Sequence, residues 1–114
     1  MPVIFCILGD AGTGDISQYK VANSLTTNIK GNKAQFVIGL GDNIYEAGCS
    51  SVNDKQFKHK FETPYKKIPN DIKFYQILGN HDYGDYSSFF YKSCAHTQIE
   101  YGIMSQENNM KWYL

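Results

Sequence analysis

The sequence predicts an α/β domain built on a parallel β-α-β-α-β core. Three observations lead there. Apolar, β-like runs recur at Val3–Leu8, Phe36–Leu40 and Lys73–Leu78. Helical signals separate them, and strands that alternate with helices form parallel sheets covered on both faces. Each run also ends in a glycine followed by hard, polar side chains: Gly9-Asp10-Ala11-Gly12, Gly41-Asp42-Asn43-Ile44-Tyr45 and Gly79-Asn80-His81-Asp82. Ligands of open α/β sheets bind at the carboxyl ends of strands, so the three strings are expected on one rim. A single Gly-Asp after a strand is common. Three such ends in this order point to a two-metal hydrolytic site.

The elements follow in order. After the first strand, Asp15 and Gln18 have the spacing of an N-cap and its N3 partner. Val21, Ala22, Leu25 and Ile29 then recur at helical spacing, and Gly31 is expected to end that helix in the left-handed conformation. The second strand leads into a loop through Gly48, Cys49 and Ser50. Asp54 is placed to cap a second helix, with Phe57 and Phe61 one turn apart and Pro64 and Pro69 bounding its end. The third strand completes a three-stranded core. Beyond Tyr83 the pattern loosens: Tyr86 to Ser93 reads as a short helix or an inserted loop. Gln98 to Met104 reads as a helical turn or two, and Trp112-Tyr113-Leu114 as the opening of a further element.

Length and composition fit one globular domain. The chain has 114 residues, 15% aromatic and 19% charged, outside the disordered range. Formal charge is zero, lysines are scattered and arginine is absent, so no basic face for nucleic acid is expected. No apolar run reaches the roughly 18 residues that span a membrane. Met1-Pro2-Val3 runs straight into the first strand, without the basic and long apolar stretches of a secretory signal. Cys6, Cys49 and Cys94 are widely spaced and never paired as CxxC, so neither a disulfide framework nor a zinc knuckle is expected. Cys6 reads as a small buried hydrophobe, Cys49 and Cys94 as free thiols. The expected setting is reducing and cytoplasmic.

GDxG, then GDNxY about thirty residues on, then GNHD, resembles the N-terminal half of the calcineurin-like metallophosphoesterase signature. Tyr45, three residues after Asp42, narrows the resemblance to purple acid phosphatases of the small tartrate-resistant type. Asn53-Asp-Lys-Gln-Phe57, Phe61-Glu62 and Gln98-Ile-Glu-Tyr101 are similar to that group in the same order. Tyr86 to His96 looks like an insertion relative to it. The resemblance implies the N-terminal half of an α/β/β/α sandwich, with residues 1–114 as one partial domain.

It also implies roles. Asp42 would bridge two metals, Asp10 and Tyr45 would bind the first, and Asn80 would give its amide oxygen to the second. A phenol, with its ordinary pKa near 10, ionises at neutral pH only beside a strong Lewis acid, so Tyr45 points to Fe(III), with Fe(II), Zn or Mn as the second ion. His81 would touch the phosphate and stabilise or protonate the leaving oxygen, and Asp82 would hold the His81 ring by accepting its other N–H. The implied reaction is in-line attack on a phosphate monoester by a metal-bound hydroxide.

Each residue also has a plainer reading. Asp10 taken singly is a capping or turn residue, and Asp42-Asn43 taken alone fits an Asx turn. His59 and His96 read as surface residues. The glycines after the first strand lack the Lys-Ser/Thr of a P-loop, and Gly12-x-Gly14 lacks the third glycine of the dinucleotide pattern. The family's Gly-His and Gly-His-x-His strings, which supply further ligand histidines, do not occur here, nor does its second sheet. The expectation is a phosphatase fragment completed by a separate C-terminal half or by self-association. The alternative is a catalytically inactive binding or regulatory module.

Overall fold

The computed structural model describes Pro2 to Gly84 and Tyr91 to Leu114, the backbone alone at 91–93. Four strands form one sheet: β1 (Phe5–Leu8), β2 (Phe36–Gly39), β3 (Lys73–Gln76) and β4 (Trp112–Tyr113), in that spatial order. All neighbours are parallel, with Phe5 opposite Phe36, Phe36 opposite Lys73 and Phe74 opposite Trp112. Two long helices cross over, α1 (Ile16–Asn32) after β1 and α2 (Tyr91–Glu107) after β3. The α/β class and the parallel β1–β3 core are as the sequence predicts. The closing Trp112-Tyr113 adds a fourth strand, because its two residues continue the β3 ladder.

α1 starts where the cap predicts: the Asp15 carboxylate accepts the Gln18 N–H at 3.1 Å. The Gln18 side chain does not return to the Asp15 N–H, which faces Thr13 Oγ1, so the reciprocal capping box is not closed. Buried, Gln18 accepts the Gly14 N–H at 2.7 Å and donates to the Lys60 carbonyl at 2.6 Å. Ala22, Leu25 and Ile29 are buried, whereas Val21 is 45% exposed and lies off the stripe. The helix also runs past Gly31. Lys33, at φ 57°, makes the left-handed exit instead, and this extra length delivers Ala34 to the core and the Gln35 N–H to the Ile4 carbonyl at 2.8 Å.

The segment after β2 is shorter and wider than the expected helix. Asp54 does cap its start, accepting the Gln56 N–H at 2.9 Å. The chain then makes a π-helical turn at Lys58–Glu62. That turn still buries Phe57 and Phe61 together. α2 is the larger surprise, at 17 residues where a turn or two was expected. Its inward side carries Ala95, Thr97, Gln98, Tyr101 and Ser105, small or polar groups that give no apolar period. The readings for Tyr86 to Phe90 lie outside the described residues. His59 and His96 are both exposed.

The two faces of the sheet differ. On one, Val37, Phe74 and Trp112 are each 0% exposed, under an aromatic cluster from the π turn and α2. Phe57 stacks on Tyr101 at 3.8 Å, and Phe61 meets Phe74 and Trp112 edge-on at 5.1 and 4.9 Å. On the other face, parallel register lines up Phe5 and Phe36 in one row and Ile7, Ile38, Tyr75 and Tyr113 in the next. Phe5, Ile7 and Tyr75 there are 42%, 59% and 47% exposed. Among the described residues no helix is long and apolar enough to cross a membrane.

Neighbouring residues of β3 test this asymmetry. Phe74→Ala should cost about 3–5 kcal/mol, and Tyr75→Ala less than about 1 kcal/mol, both read from urea denaturation. Equal losses would mean that the open face is covered in solution.

Candidate metal centre

The first two motif loops are joined by their backbones, and the third is tied to the second through the Asp42 and Asp82 carboxylates. The Asp10 N–H donates to the Gly41 carbonyl at 3.1 Å, Gly12 N–H to Asp42 O at 3.3 Å, and Tyr45 N–H back to Gly12 O at 2.8 Å. Approach this close requires glycine: a Cβ at Gly12 would lie 1.8 Å from the Asn43 carbonyl oxygen, and one at Gly79 2.4 Å from the Asp42 nitrogen. Asp10 and Asp42 themselves sit at φ 55° and 53°, left-handed backbone that L residues tolerate at a cost of about 1–2 kcal/mol. Such strain concentrates at functional sites.

Asp42 lies at the centre. Its Oδ1 accepts the His81 N–H at 2.9 Å and its Oδ2 accepts the Tyr45 hydroxyl at 3.3 Å. Asp10 is exposed on the same rim as Asp42 and Asn80, since each follows a parallel strand. Burial, together with the negative charges of Asp42 and Asp10, pushes the Tyr45 phenol up to about 12. The two carboxylates therefore act on one phenol. A cation among them would reverse that effect, because it favours the phenolate. Asn80 is exposed at the start of a 3₁₀ turn, Asn80–Tyr83, which also carries His81 and Asp82.

The expected contact between Asp82 and the His81 ring is not formed. His81 Nδ1 faces the Glu46 carbonyl at 2.6 Å; a carbonyl only accepts, so Nδ1 carries the proton. The His81 ring also lies 4.5 Å from that of Tyr45. Asp82 instead points inward and is 0% exposed. Its oxygens accept the N–H groups of Asn43 at 2.9 and 3.0 Å, Ile44 at 3.0 Å and Gly79 at 2.8 Å, and the Gln98 amide at 2.8 Å. A buried carboxylate needs this many donors, and these donors lie away from His81.

Sequence reasoning missed Gln98, Asn43 and Lys60 as parts of the site. Lys60 is half-buried and donates to the Tyr45 carbonyl and, at 2.9 Å, to Gln56 Oε1. The lysine-rich segment around it gave no sign of this. Among the described residues no group of three or more His, Cys, Asp or Glu is placed to hold a metal. The loops at this rim carry two carboxylates, a phenol and an amide side chain, of which Asp42 and Tyr45 are in direct contact.

Purple acid phosphatase 7 of Arabidopsis thaliana is 38% identical over 82 residues, 69% of this chain and 24% of that protein. Tartrate-resistant acid phosphatase type 5 of Homo sapiens is 38% identical over 51 residues, 44% and 16% of the two chains. This chain is a relative of the purple acid phosphatases. It spans about a quarter of the length of Purple acid phosphatases 7 and 3. No family model matches it. The solved structure of GAP50, the anchor in the inner membrane complex of Plasmodium, superposes with a TM-score of 0.71 at 24% identity, covering 88% of this chain and 30% of that one. At that identity the likeness speaks for the fold. Relatives named as acid phosphatases make this a family of phosphate-ester hydrolases.

Two measurements check the geometry. Asp82→Asn turns one acceptor toward backbone N–H groups as a donor and should cost about 1–3 kcal/mol, read from thermal melts. For Tyr45, the folded pKa lies above the unfolded value near 10, so its stabilisation is full below pH 10 and is lost as pH rises toward 12. The difference in ultraviolet phenolate titration between wild type and Tyr45→Phe should show one group ionising near pH 12 in metal-free protein; a midpoint near 10 would place the phenol in open water.

Proposed function

We propose that this chain carries the first ligand loops of a phosphomonoester hydrolase of the acid-phosphatase type, completed by a further segment. The observation that supports this most is the Asp42 carboxylate, with one oxygen toward Tyr45 and the other toward the turn bearing Asn80 and His81. The donor set fits one side of a dinuclear centre of hard cations: carboxylate, phenolate and amide oxygens. Asp10 and Tyr45 would hold an Fe(III), Asp42 would bridge, and Asn80 would serve Fe(II), Zn or Mn. When bound, the ions supply Lewis acidity and a nucleophile at neutral pH.

The remaining work falls to the chain's own side chains. With Nδ1 held by the Glu46 carbonyl, His81 keeps Nε2 for the substrate, where it would stabilise or protonate the leaving oxygen of a phosphate monoester. The Tyr45 ring against His81 limits the ways that imidazole can turn. Asp82 acts on the loops and not on the imidazole. Lys60 holds the Tyr45 carbonyl, which steadies the loop that presents the phenol.

The test supplies a segment with Gly-His and Gly-His-x-His strings and follows p-nitrophenyl phosphate together with metal content. Hydrolysis with a mildly acidic optimum is expected. Asp42→Ala should abolish metal retention, whereas His81→Ala should keep metal and lose about 10²–10⁴ in rate. Loss of metal in the His81 variant would overturn this division of labour. The chain by itself should bind metal weakly and turn over little substrate. Its open row of Ile7, Ile38, Tyr75 and Tyr113 should drive self-association, seen by sedimentation velocity and reduced by Ile7→Lys with Tyr75→Lys. A monodisperse, fully active monomer would refute the proposal that a second segment is needed.

A further inference from the structure

We propose that Gln98 is a positioning residue that locks the second and third motif loops in register from outside the site. It lies on α2, more than a dozen residues beyond the last motif, and is 0% exposed. Its amide works in both directions. Nε2 donates to Asp82 Oδ1 at 2.8 Å, and Oε1 accepts from Asn43 Nδ2 at 3.3 Å. Asn43 directly follows Asp42, and Asp82 directly follows His81. One side chain therefore grips the neighbour of each proposed functional residue.

The grip is closed by other bonds. Asn43 Nδ2 also donates to the Ile77 carbonyl at 2.8 Å, at the end of the third strand. Asp82 in turn binds the N–H groups of Asn43, Ile44 and Gly79. These bonds form a small ring from the end of β2 to the turn after β3. Gln98 brings a side-chain donor to Asp82 beside these backbone N–H groups, and glutamine has both an amide donor and an acceptor at this reach. A methionine would fill the same volume and supply neither. The Asp42–His81 link at 2.9 Å lies across this ring, so loosening the ring shifts the carboxylate that the proposed bridge depends on.

This inference rests on the metal-centre reading for its consequence but not for its geometry, and the experiment separates the two. Amide hydrogen exchange on the full chain, wild type and Gln98→Met, reads the geometry. A hydrogen bond to a charged group changes a local opening equilibrium by about tenfold or more. Exchange should therefore quicken by about that factor at Asn43, Ile44 and Gly79, and the His81 N–H resonance should shift, while Val37 and Phe74 keep their rates. Fe(III) titration reads the consequence: affinity should fall by about 10–100-fold, as for other partners that orient ligands from behind. Quickening that includes Val37 and Phe74 to the same degree would make Gln98 an ordinary core residue and overturn the proposal, as would no change at all. If Gln98→Met fails to fold, Asn43→Ala decides: faster exchange at Ile44 with a shifted His81 signal supports the lock, and unchanged values overturn it. If wild type takes up no Fe(III), the metal reading fails, and exchange alone decides the role of Gln98.

Discussion

A carboxylate withdrawn from water constrains everything around it, and in this molecule that group is Asp82. Burying a charge is affordable only when hydrogen bonds replace its hydration. Asp82 finds its donors on the loop after β2, on its own turn and on α2. None of these segments can move far without stranding the charge. The third motif string thus has two functions in adjacent residues: His81 faces outward with its ring, and Asp82 faces inward and welds the rim.

The rest of the fold is arranged to deliver that rim. Parallel register brings three strand ends to one edge, and the aromatic cluster of Phe57, Phe61, Phe74, Tyr101 and Trp112 fixes the helical side of the sheet. α2 belongs to both systems. Tyr101 stacks in the cluster while Gln98, one turn earlier, reaches the loops. The core and the candidate site are thereby coupled through one helix. The opposite face, with Phe5, Ile7 and Tyr75 in solvent, contributes nothing to this coupling, and it is where the sheet has apolar surface left to bury.

What the sequence disclosed follows physical lines. Strand positions, the Asp15 cap and the shared rim were legible because they depend on local pattern: apolar runs, a capping spacing, a glycine before each polar group. α2 was not, because its inward side is Thr97, Gln98 and Ser105 as much as Ala95 and Tyr101, and polar burial carries no hydrophobic period. The Lys33 exit was hidden for a related reason. The helix end is set by where β2 must begin, a tertiary demand that overrides the local preference of Gly31 for the left-handed region. The partner of Asp82 was misread because adjacency to His81 in sequence says nothing about the side of the turn on which each side chain emerges.

The strained aspartates complete the argument. Left-handed φ at Asp10 and Asp42 disfavours the fold locally, so something must hold those residues there. The backbone bonds from Asp10 to Gly41 and between Gly12 and Tyr45 do so on one side; the Asp82 and Gln98 network does so on the other. Glycine at positions 12 and 79 lets these backbones approach within distances that any side chain would prevent. The motif glycines are thus the clearance that lets two carboxylates stand at a rim, and the aspartates they accompany would otherwise turn into the ordinary geometry of a loop.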